Sequence, residues 1–252
     1  MEAGRPIALS IAGFDPCGGA GLLADIKTFE QHKVYGLGIC SAQTLQTEDR
    51  FFSNQWKEKA QLLEELKTLL DHYDVRVVKI GIIENFEVAA TIVQLIKQKN
   101  KNTNIVWDPV IRSSSGFDFW NGKTDHRLLA DILKQIDLVT PNYEEVMQLL
   151  PGASNPKEAA QDLSRHCTVL LKGGHNDQEK GVDYLFKDYG VEVLTGNNEG
   201  MFAKHGSGCV LSAAIASQLA SGKELLNACE NGKRYVEQFL SSNKTLLGYH
   251  VI

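Results

Sequence analysis

The sequence predicts an α/β protein built around one doubly wound, mostly parallel sheet. Short β-rich apolar runs alternate with longer segments of helical period along the 252 residues. Such alternation is typical of strand–helix–strand units joined by right-handed crossovers. No linker, low-complexity stretch or internal repeat divides the chain. We therefore expect residues 1–252 to form a single domain.

Individual strands and helices can be placed from their residue patterns. An apolar run at 6–13 predicts the first strand, and a helix follows over 21–33. Leucines recur at helical spacing in 56–73, which predicts a helix with one buried face. Two short runs within 183–195 predict an antiparallel pair at one edge of the sheet, and two helices close the chain. The other predicted elements are strands at 34–44, 75–81, 104–110, 137–141 and 168–174 and helices at 86–99 and 143–150.

Composition and charge argue against several kinds of partner. The net charge is −5 and no run of lysine or arginine stands out, so neither nucleic acid nor an anionic membrane has electrostatic support as a partner. The cysteines are scattered without a C-x-x-C pair, which argues against a disulfide framework or a zinc site. Neither a signal peptide nor a run of about 18 apolar residues is present. We expect a cytoplasmic protein.

The stretch HGSGC, residues 205–209, stands directly before a small-apolar run that reads as a helix. Free N–H groups and the helix dipole at such a terminus attract anions. Gly206, Ser207 and Gly208 would thus cradle a phosphoryl group in transfer, and Cys209, with a lowered pKa, would act as a base. A side chain at Gly208 is expected to block the cradle and to strain the backbone. A glycine-rich turn that caps a packed helix around a buried cysteine fits the same residues equally well.

A second glycine-rich turn, FDPCGGAG at 14–21, follows the first predicted strand. Its glycines would permit either the close approach of a ligand or only a tight strand-to-helix turn. The spacing G-x-G-x-x-G is absent, so no dinucleotide site is indicated.

Polar residues also follow three later strands. In TPNYEEV, Asn142 and Glu145 lie three apart at a helix start, where they would hold a hydrated Mg²⁺ and its phosphates. The pattern alone favours the alternative, in which Asn142 caps the helix with Glu145 at its third position. Lys172 in LKGG suits a polyphosphate, or is simply solvated. Asp108 in WDPV suits a metal or a substrate hydroxyl, or only caps its strand.

The remaining histidines and cysteines carry no functional prediction. His175 and His205 have no partner at metal-ligand spacing in the sequence, so neither is expected to be a ligand. Packing roles are expected for Cys17, Cys40, Cys167 and Cys229.

Taken together and in this order, these segments resemble the ribokinase-like superfamily of small-molecule kinases. The resemblance is greatest to the hydroxymethylpyrimidine/phosphomethylpyrimidine kinases of thiamine biosynthesis, and it runs from about Ile7 to about Leu240. It implies a three-layer α/β/α fold and the use of MgATP to phosphorylate first an alcohol and then the resulting phosphate. The segments that carry it are IAGFDPCGGAGLLADIKTF, YG, SAQTLQT, KIG, WDPV, TPNYEEV, LKGGH and HGSGC.

The resemblance also implies roles for particular residues. Cys209 takes the position of the catalytic base, which is aspartate in sugar kinases, beside an anion hole of Gly206, Ser207 and Gly208. The Gln46 amide would read the polar edge of the ring, since an amide both donates and accepts. ATP would be bound by Asn142, Lys172 and Glu145, and Mg²⁺ by Glu145 and Asp108. The pyrimidine pocket would be lined by Gly13, Ala20, Thr44, Gln46 and Val110. A homodimer is implied as well.

Several departures from the family pattern fall on the substrate side. Phe14 and Cys17 replace small hydroxyl residues, and Phe14 is expected to narrow or reshape the substrate pocket. Leu45 and Thr47 flank Gln46 in place of the usual alanine and asparagine. The resemblance also extends to relatives with the same cysteine-bearing anion hole that accept vitamin B6, so a pyridoxal/pyridoxine kinase is the first alternative. A non-catalytic pyrimidine-binding protein is the second.

Overall fold

The structure is a computed structural model, and the residues it describes form one sheet of nine strands. Its strands are β1 (Ile7–Phe14), β2 (Tyr35–Gln46), β3 (Phe51–Trp56), β4 (Val75–Ile80), β5 (Asn104–Trp107), β6 (Leu138–Val139), β7 (Thr168–Leu171), β8 (Asp183–Lys187) and β9 (Gly190–Leu194). Its helices are α1 (Gly21–Gln31), α2 (Lys59–His72), α3 (Phe86–Lys99), α4 (His126–Leu133), α5 (Tyr143–Leu149), α6 (Pro156–Leu163), α7 (Ser207–Ala220) and α8 (Leu225–Ser241). The structure describes residues 4–112, 116–120, 125–174, 179, 181–188, 190–196 and 200–251.

The sheet is parallel in its centre and antiparallel at both edges. Its strand order is β3-β2-β1-β4-β5-β6-β7-β8-β9. Neighbouring strands in the series β2-β1-β4-β5-β6-β7 run parallel. At one end of this series, β8 and β9 add the antiparallel pair that the sequence predicts. The opposite edge holds β3, antiparallel to β2, which the sequence analysis did not predict. Its residues FFSNQW are exposed or half-buried and carry no clear two-residue period, so the pattern gave no signal.

Helices cover both faces of the sheet. The larger core cluster joins one face to α2, α3, α4, α5 and α6. The other face packs on α1, α7 and α8, and nearly every residue of α7 from Val210 to Ala220 is buried there. This arrangement confirms the predicted three-layer α/β/α fold with a doubly wound, mostly parallel sheet. The short helices α4 and α6 were not predicted from the sequence.

The strand order reverses beside β1, which lies between β2 and β4. In open α/β sheets, ligands bind in the crevice at the carboxyl ends of the strands next to such a reversal. We therefore expect the ligand-binding site at the turns that follow β1, β4, β5 and β7. Across the described ranges, each helix is too short or too polar to cross a bilayer.

Candidate active site

One cleft of about 630 Å³ opens at the carboxyl ends of the parallel strands. It brings together segments that are far apart in the sequence, from the turn after β1 to the start of α7. Every residue to which the sequence analysis gave a site role lines this cleft: Gly13, Ala20, Thr44, Gln46, Asp108, Val110, Asn142, Glu145, Lys172, Gly206, Ser207, Gly208 and Cys209.

The amino terminus of α7 presents free backbone donors to the cleft. Gly206 caps the helix in the left-handed conformation, with φ of 75°. A Cβ at this position would lie 2.1 Å from the carbonyl oxygen of Gly19, so only glycine fits the turn. Within the described part of the chain, the N–H groups of Ser207, Gly208 and Cys209 have no acceptor, and the first helical bond is donated by Val210 to Gly206. This terminus is therefore able to bind an anion.

Gly208 departs from one expectation. It lies inside the first turn of α7 with ordinary helical backbone, so the predicted strain is wrong for this position and belongs to Gly206 instead. A Cβ at Gly208 would lie 3.3 Å from Lys172 Nζ and 3.9 Å from an Asp108 oxygen. A side chain at Gly208 would therefore crowd the amino terminus of α7, as the sequence predicts, because it would press on the Lys172 ammonium and approach the Asp108 carboxylate.

Cys209 lines the cleft, but its acidity differs from the prediction. Burial raises the pKa of the Cys209 thiol to about 11, and the carboxylates of Asp108 and Asp25 add to the rise. The Lys79 ammonium and a hydrogen bond from the Gly21 N–H lower the pKa of Cys209, but not enough to offset this rise. The expected lowering of the pKa is therefore wrong, because nearby negative charge and loss of hydration outweigh the helix terminus.

An ammonium and two carboxylates lie together beside the start of α7. Lys172 Nζ lies 2.7 Å from Asp108 Oδ1 and 3.6 Å from Glu145 Oε2. Asp108 also accepts hydrogen bonds from Thr140 and Ser212. Burial would raise the pKa of Asp108, but the charges of Lys172 and Lys79 lower it below its usual value. Burial raises the pKa of Glu145 to about 7, since Lys172 only partly offsets it.

Asn142 and Glu145 form a capping box at the start of α5. The Asn142 side chain accepts from the N–H groups of Glu144 and Glu145, and Glu145 Oε2 accepts from the Asn142 N–H at 2.7 Å. The capping alternative is therefore confirmed. Both residues nevertheless line the cleft, so the cap fixes them where a nucleotide and its metal would meet them.

The donor set on this wall suits Mg²⁺ held through water and phosphate. Asp108 and Glu145 supply the carboxylate oxygens that Mg²⁺ prefers, but Lys172 already contacts both. Two carboxylates shared with an ammonium do not form a closed protein cage. They fit an ion that keeps most of its ligands from water and substrate phosphates.

The pocket beside β1 and β2 is lined by small and polar groups. Thr44 Oγ1 donates to the carbonyl oxygen of Phe14, and Gln46 Nε2 donates to Thr44 Oγ1 at 2.9 Å. This fixes the Gln46 amide at the cleft. Phe14 is not among the described residues that line the cleft, so its side chain does not narrow the pocket directly, and a reshaping of the pocket by Phe14 stays a prediction.

Lys79 is a cleft residue to which the sequence analysis gave no role. Its ammonium forms a fully buried ion pair with Asp25 at 2.9 Å, and Ser10 donates a hydrogen bond to the same carboxylate. Burial alone would lower the pKa of Lys79, but the charges of Asp25, Cys209 and Asp108 raise it above its usual range. A lysine inside the apolar strand VRVVKI was the available signal, because lysines are almost never buried without a partner.

His205 likewise has a partner that sequence spacing concealed. Its Nε2 lies 3.0 Å from Asp15 Oδ2, although the two residues are 190 positions apart. Burial would raise the pKa of Asp15, but hydrogen bonds from His205, Cys17 and Ala20 lower it to about 2. Burial raises the pKa of Cys17 to about 11, and its hydrogen bond with Asp15 adds to the rise. His175 lies outside the described residues.

Comparison with known proteins identifies the family. The model of the phosphomethylpyrimidine kinase family matches residues 15–251. A hydroxymethylpyrimidine/phosphomethylpyrimidine kinase of Aquifex aeolicus is 32% identical over 253 residues, covering 98% of this chain and 99% of its own length. The enzyme of that name from Escherichia coli is 30% identical over 246 residues, covering 95% of this chain and 92% of its own.

Solved structures lead to the same group. A phosphomethylpyrimidine kinase from Clostridium difficile superposes with a TM-score of 0.76 at 29% identity, covering 92% of this chain and 98% of its own. Pyridoxal kinase from Bacillus subtilis, solved as an ADP complex, gives a TM-score of 0.81 at 26% identity, covering 96% and 94%. The resemblance drawn from the motifs is confirmed: this chain is an ATP-dependent small-molecule kinase and belongs to the phosphomethylpyrimidine kinase family.

Proposed function

We propose that this chain uses MgATP to phosphorylate the hydroxymethyl group of hydroxymethylpyrimidine and then the phosphate so formed, as in thiamine biosynthesis. One observation carries the proposal. The free N–H groups of Ser207, Gly208 and Cys209 border the same cleft as the Cys209 thiol, and Lys172 lines it beside Gly208. A phosphoryl group, an alcohol and a polyphosphate can therefore meet there with a complementary group for each.

The first transfer breaks one bond to phosphorus and forms another. The substrate hydroxyl oxygen attacks the γ-phosphorus, the bond from that phosphorus to the bridging oxygen breaks, and ADP leaves. The hydroxyl proton passes to the sulfur of Cys209 in its thiolate form and then to solvent water. Backbone N–H groups of the α7 terminus stabilise the charge on the transferring oxygens, and Lys172 stabilises the charge on the leaving ADP.

The high pKa of Cys209 makes the thiolate a minor species at neutral pH. Lys79 favours that species, because its buried ammonium lowers the energy of a negative charge on the sulfur. The second transfer has no such requirement. A phosphate monoester is largely a dianion at pH 7, with a second pKa of about 6, so its oxygen attacks without losing a proton.

Asp108 and Glu145 would hold Mg²⁺ through its water ligands. When bound, Mg²⁺ neutralises charge on the β- and γ-phosphate oxygens. Asp108 also fixes Lys172 at 2.7 Å, and the capping box fixes Glu145. The side chains that would contact the polyphosphate are therefore held in place before the nucleotide binds.

Gln46 is proposed to read the polar edge of the pyrimidine. Its side-chain amide is anchored through Nε2 to Thr44, which leaves its carbonyl oxygen as an acceptor for an exocyclic amino group. Val110, Gly13 and Ala20 would pack against the ring.

The test is analysis of products by mass after incubation of the purified chain with hydroxymethylpyrimidine and MgATP. Monophosphate followed by diphosphate is the expected result. Binding of the pyrimidine without any phosphate transfer under saturating MgATP would instead support a non-catalytic binding protein.

A pyridoxal kinase is the second candidate, and a specific observation favours it. Pyridoxal kinase from Staphylococcus aureus, solved with pyridoxal, superposes with a TM-score of 0.83 at 26% identity. Parallel assays with both alcohols separate the candidates. Turnover of pyridoxal at least about tenfold faster than the pyrimidine would overturn our preference, since polar contacts in one pocket can account for such a ratio.

We further propose that the enzyme is a cytoplasmic homodimer. The β2–β3 edge exposes Leu45 by 60% and Phe52 by 47%, and among the described strands β3 pairs with β2 alone. Exposed apolar side chains on an edge strand suit association of two copies along this edge. Light scattering after gel filtration should give twice the 27.8 kDa mass of the chain.

A further inference from the structure

Asp15, Cys17 and His205 bring three different ligand-type atoms together beside the cleft. A carboxylate oxygen, the Cys17 sulfur and a His205 ring nitrogen all lie within 4.8 Å of one another. Cys17 Sγ is 3.0 Å from Asp15 Oδ1, and His205 Nε2 is 3.0 Å from Asp15 Oδ2. The group joins the turn after β1 to the residue that precedes Gly206.

The carboxylate in this group is held rigidly by the backbone. The N–H of Cys17 donates to Oδ1 at 3.0 Å, while those of Gly19 and Ala20 donate to Oδ2 at 3.1 and 2.8 Å. Hydrogen bonds of this kind orient a carboxylate for metal binding. The Asp15 side chain is only 1% exposed and that of His205 only 8%, whereas Cys17 is half-buried and leaves an entry path.

The His205 ring also carries an unused nitrogen. Its Nδ1 is buried and has no hydrogen-bond partner within the described part of the chain, while Nε2 is shared with Asp15. A metal bound at Nε2 leaves the ring proton on Nδ1, so the ligand atoms of this group are His205 Nε2, the Cys17 sulfur and an Asp15 oxygen.

We propose that Asp15, Cys17 and His205 form a zinc site, separate from the Mg²⁺ that accompanies ATP. Sulfur and imidazole ligands suit Zn²⁺, whereas Mg²⁺ requires oxygen ligands. On binding, the thiol proton leaves to solvent water, and bonds from the metal to oxygen, sulfur and nitrogen replace the two hydrogen bonds that now link the side chains. The backbone N–H groups keep their contacts with the carboxylate.

Such a site would act on the kinase through its neighbours. Ala20 and His205 line the cleft, and Gly206 follows His205 directly. The glycine is packed closely on the turn after β1, since a Cβ at Gly206 would lie 2.1 Å from the Gly19 carbonyl oxygen and 2.7 Å from Ala20 Cα. A bound Zn²⁺ therefore ties together the segments that position the anion hole, and it stabilises the folded chain.

The matched variant is Cys17→Ser, because a small hydroxyl residue is usual there in the family and the fold should tolerate it. The control is Cys40→Ser, which alters another half-buried thiol on β2. Reduced, untagged protein is titrated with Co²⁺ as the probe, in buffer without phosphate or nucleotide. Thiolate-to-cobalt charge-transfer absorbance is then recorded.

We expect about one equivalent of Co²⁺ to give this absorbance in the unmodified chain and in Cys40→Ser, and Zn²⁺ to abolish it by displacement. Cys17→Ser should lack the absorbance, and His205→Gln should bind at least about tenfold more weakly. Zn²⁺ at a hundredfold excess over its Kd should raise Tm by roughly 5–10 °C, except in Cys17→Ser. The absence of the absorbance from the unmodified chain, or its persistence in Cys17→Ser, would overturn the site. Neither outcome depends on whether the kinase substrate is a pyrimidine.

Discussion

Lys172 and Asp108 meet at 2.7 Å where β7 and β5 end, and Glu145 Oε2 lies 3.6 Å from the same ammonium. An incoming polyphosphate therefore finds a lysine that is already positioned by two carboxylates. This contact fixes the geometry of the nucleotide wall, and the same ammonium partly offsets the burial that raises the pKa of Glu145.

The pKa of Glu145, raised by burial to about 7, predicts a pH dependence of nucleotide binding. Below pH 7 the carboxyl is mostly neutral, so it holds Mg²⁺ poorly; above pH 7 it is ionised. Affinity for MgADP should therefore rise as pH increases from about 6 to 8. Calorimetry at several pH values measures this, and Glu145→Gln should bind more weakly with a flatter profile. An equally steep profile in that variant would assign the titration to another group.

Replacement of the proposed base should separate the two transfers. Cys209→Ala should slow phosphorylation of the alcohol by about 10² or more, the usual effect of losing a general base. Phosphorylation of the monophosphate should fall much less, because its oxygen carries no proton to remove. Product-resolved kinetics on each substrate test this. Unchanged alcohol turnover in Cys209→Ala would remove Cys209 from the mechanism.

The raised pKa of Cys209 also predicts the shape of the pH–rate profile. With a pKa of about 11, the thiolate fraction rises nearly tenfold per pH unit between pH 7 and 9. The kcat/KM for the alcohol should climb across that range. In Cys209→Asp the climb should disappear, since a carboxylate is already ionised. A flat profile in the unmodified enzyme would mean that the reaction does not require the thiolate.

Substitutions at two neighbouring glycines should impair the enzyme for different reasons. Gly206→Ala forces a side chain into left-handed backbone and against the Gly19 carbonyl, so Tm should fall by an amount equivalent to at least about 1–2 kcal/mol. Gly208→Ala sits in helical backbone and should keep its Tm, but its methyl group crowds Lys172. Activity should fall in both variants. A loss of Tm in Gly208→Ala equal to that in Gly206→Ala would contradict this assignment of strain.

The Lys79–Asp25 pair should be important for stability. Lys79→Met leaves a buried carboxylate without its partner, which typically costs about 3–5 kcal/mol. The double variant Lys79→Met/Asp25→Leu should recover much of that loss. Urea denaturation gives the free energy of unfolding of both variants. Equal values for the two would show that Asp25 finds another partner.

The sequence predicted the central sheet because its strands are apolar and separated by amphipathic helices. It missed β3, whose exposed FFSNQW carries no clear period, and it placed antiparallel pairing at one edge instead of two. The residues assigned to phosphate, metal and base roles were found from glycines and polar residues that end strands, whereas those of the pyrimidine pocket came only from the family resemblance; all of them line one cleft.

What the sequence could not provide was the electrostatics of that cleft. The acidity of Cys209 depends on Asp108, Asp25 and Lys79, which are distant in the chain. The contact between Asp15 and His205 depends on the closure of the fold across 190 positions. Neither follows from local spacing, because both arise from parallel strands that end at one edge of the sheet.

The most direct measurement is a crystal structure of the chain with hydroxymethylpyrimidine and a non-hydrolysable ATP analogue. We expect γ-phosphate oxygens at about 2.7–3.2 Å from the backbone nitrogens of 207–209, and the substrate hydroxyl within contact of Cys209 Sγ. A γ-phosphate held elsewhere, or a hydroxyl turned away from that sulfur, would contradict the account.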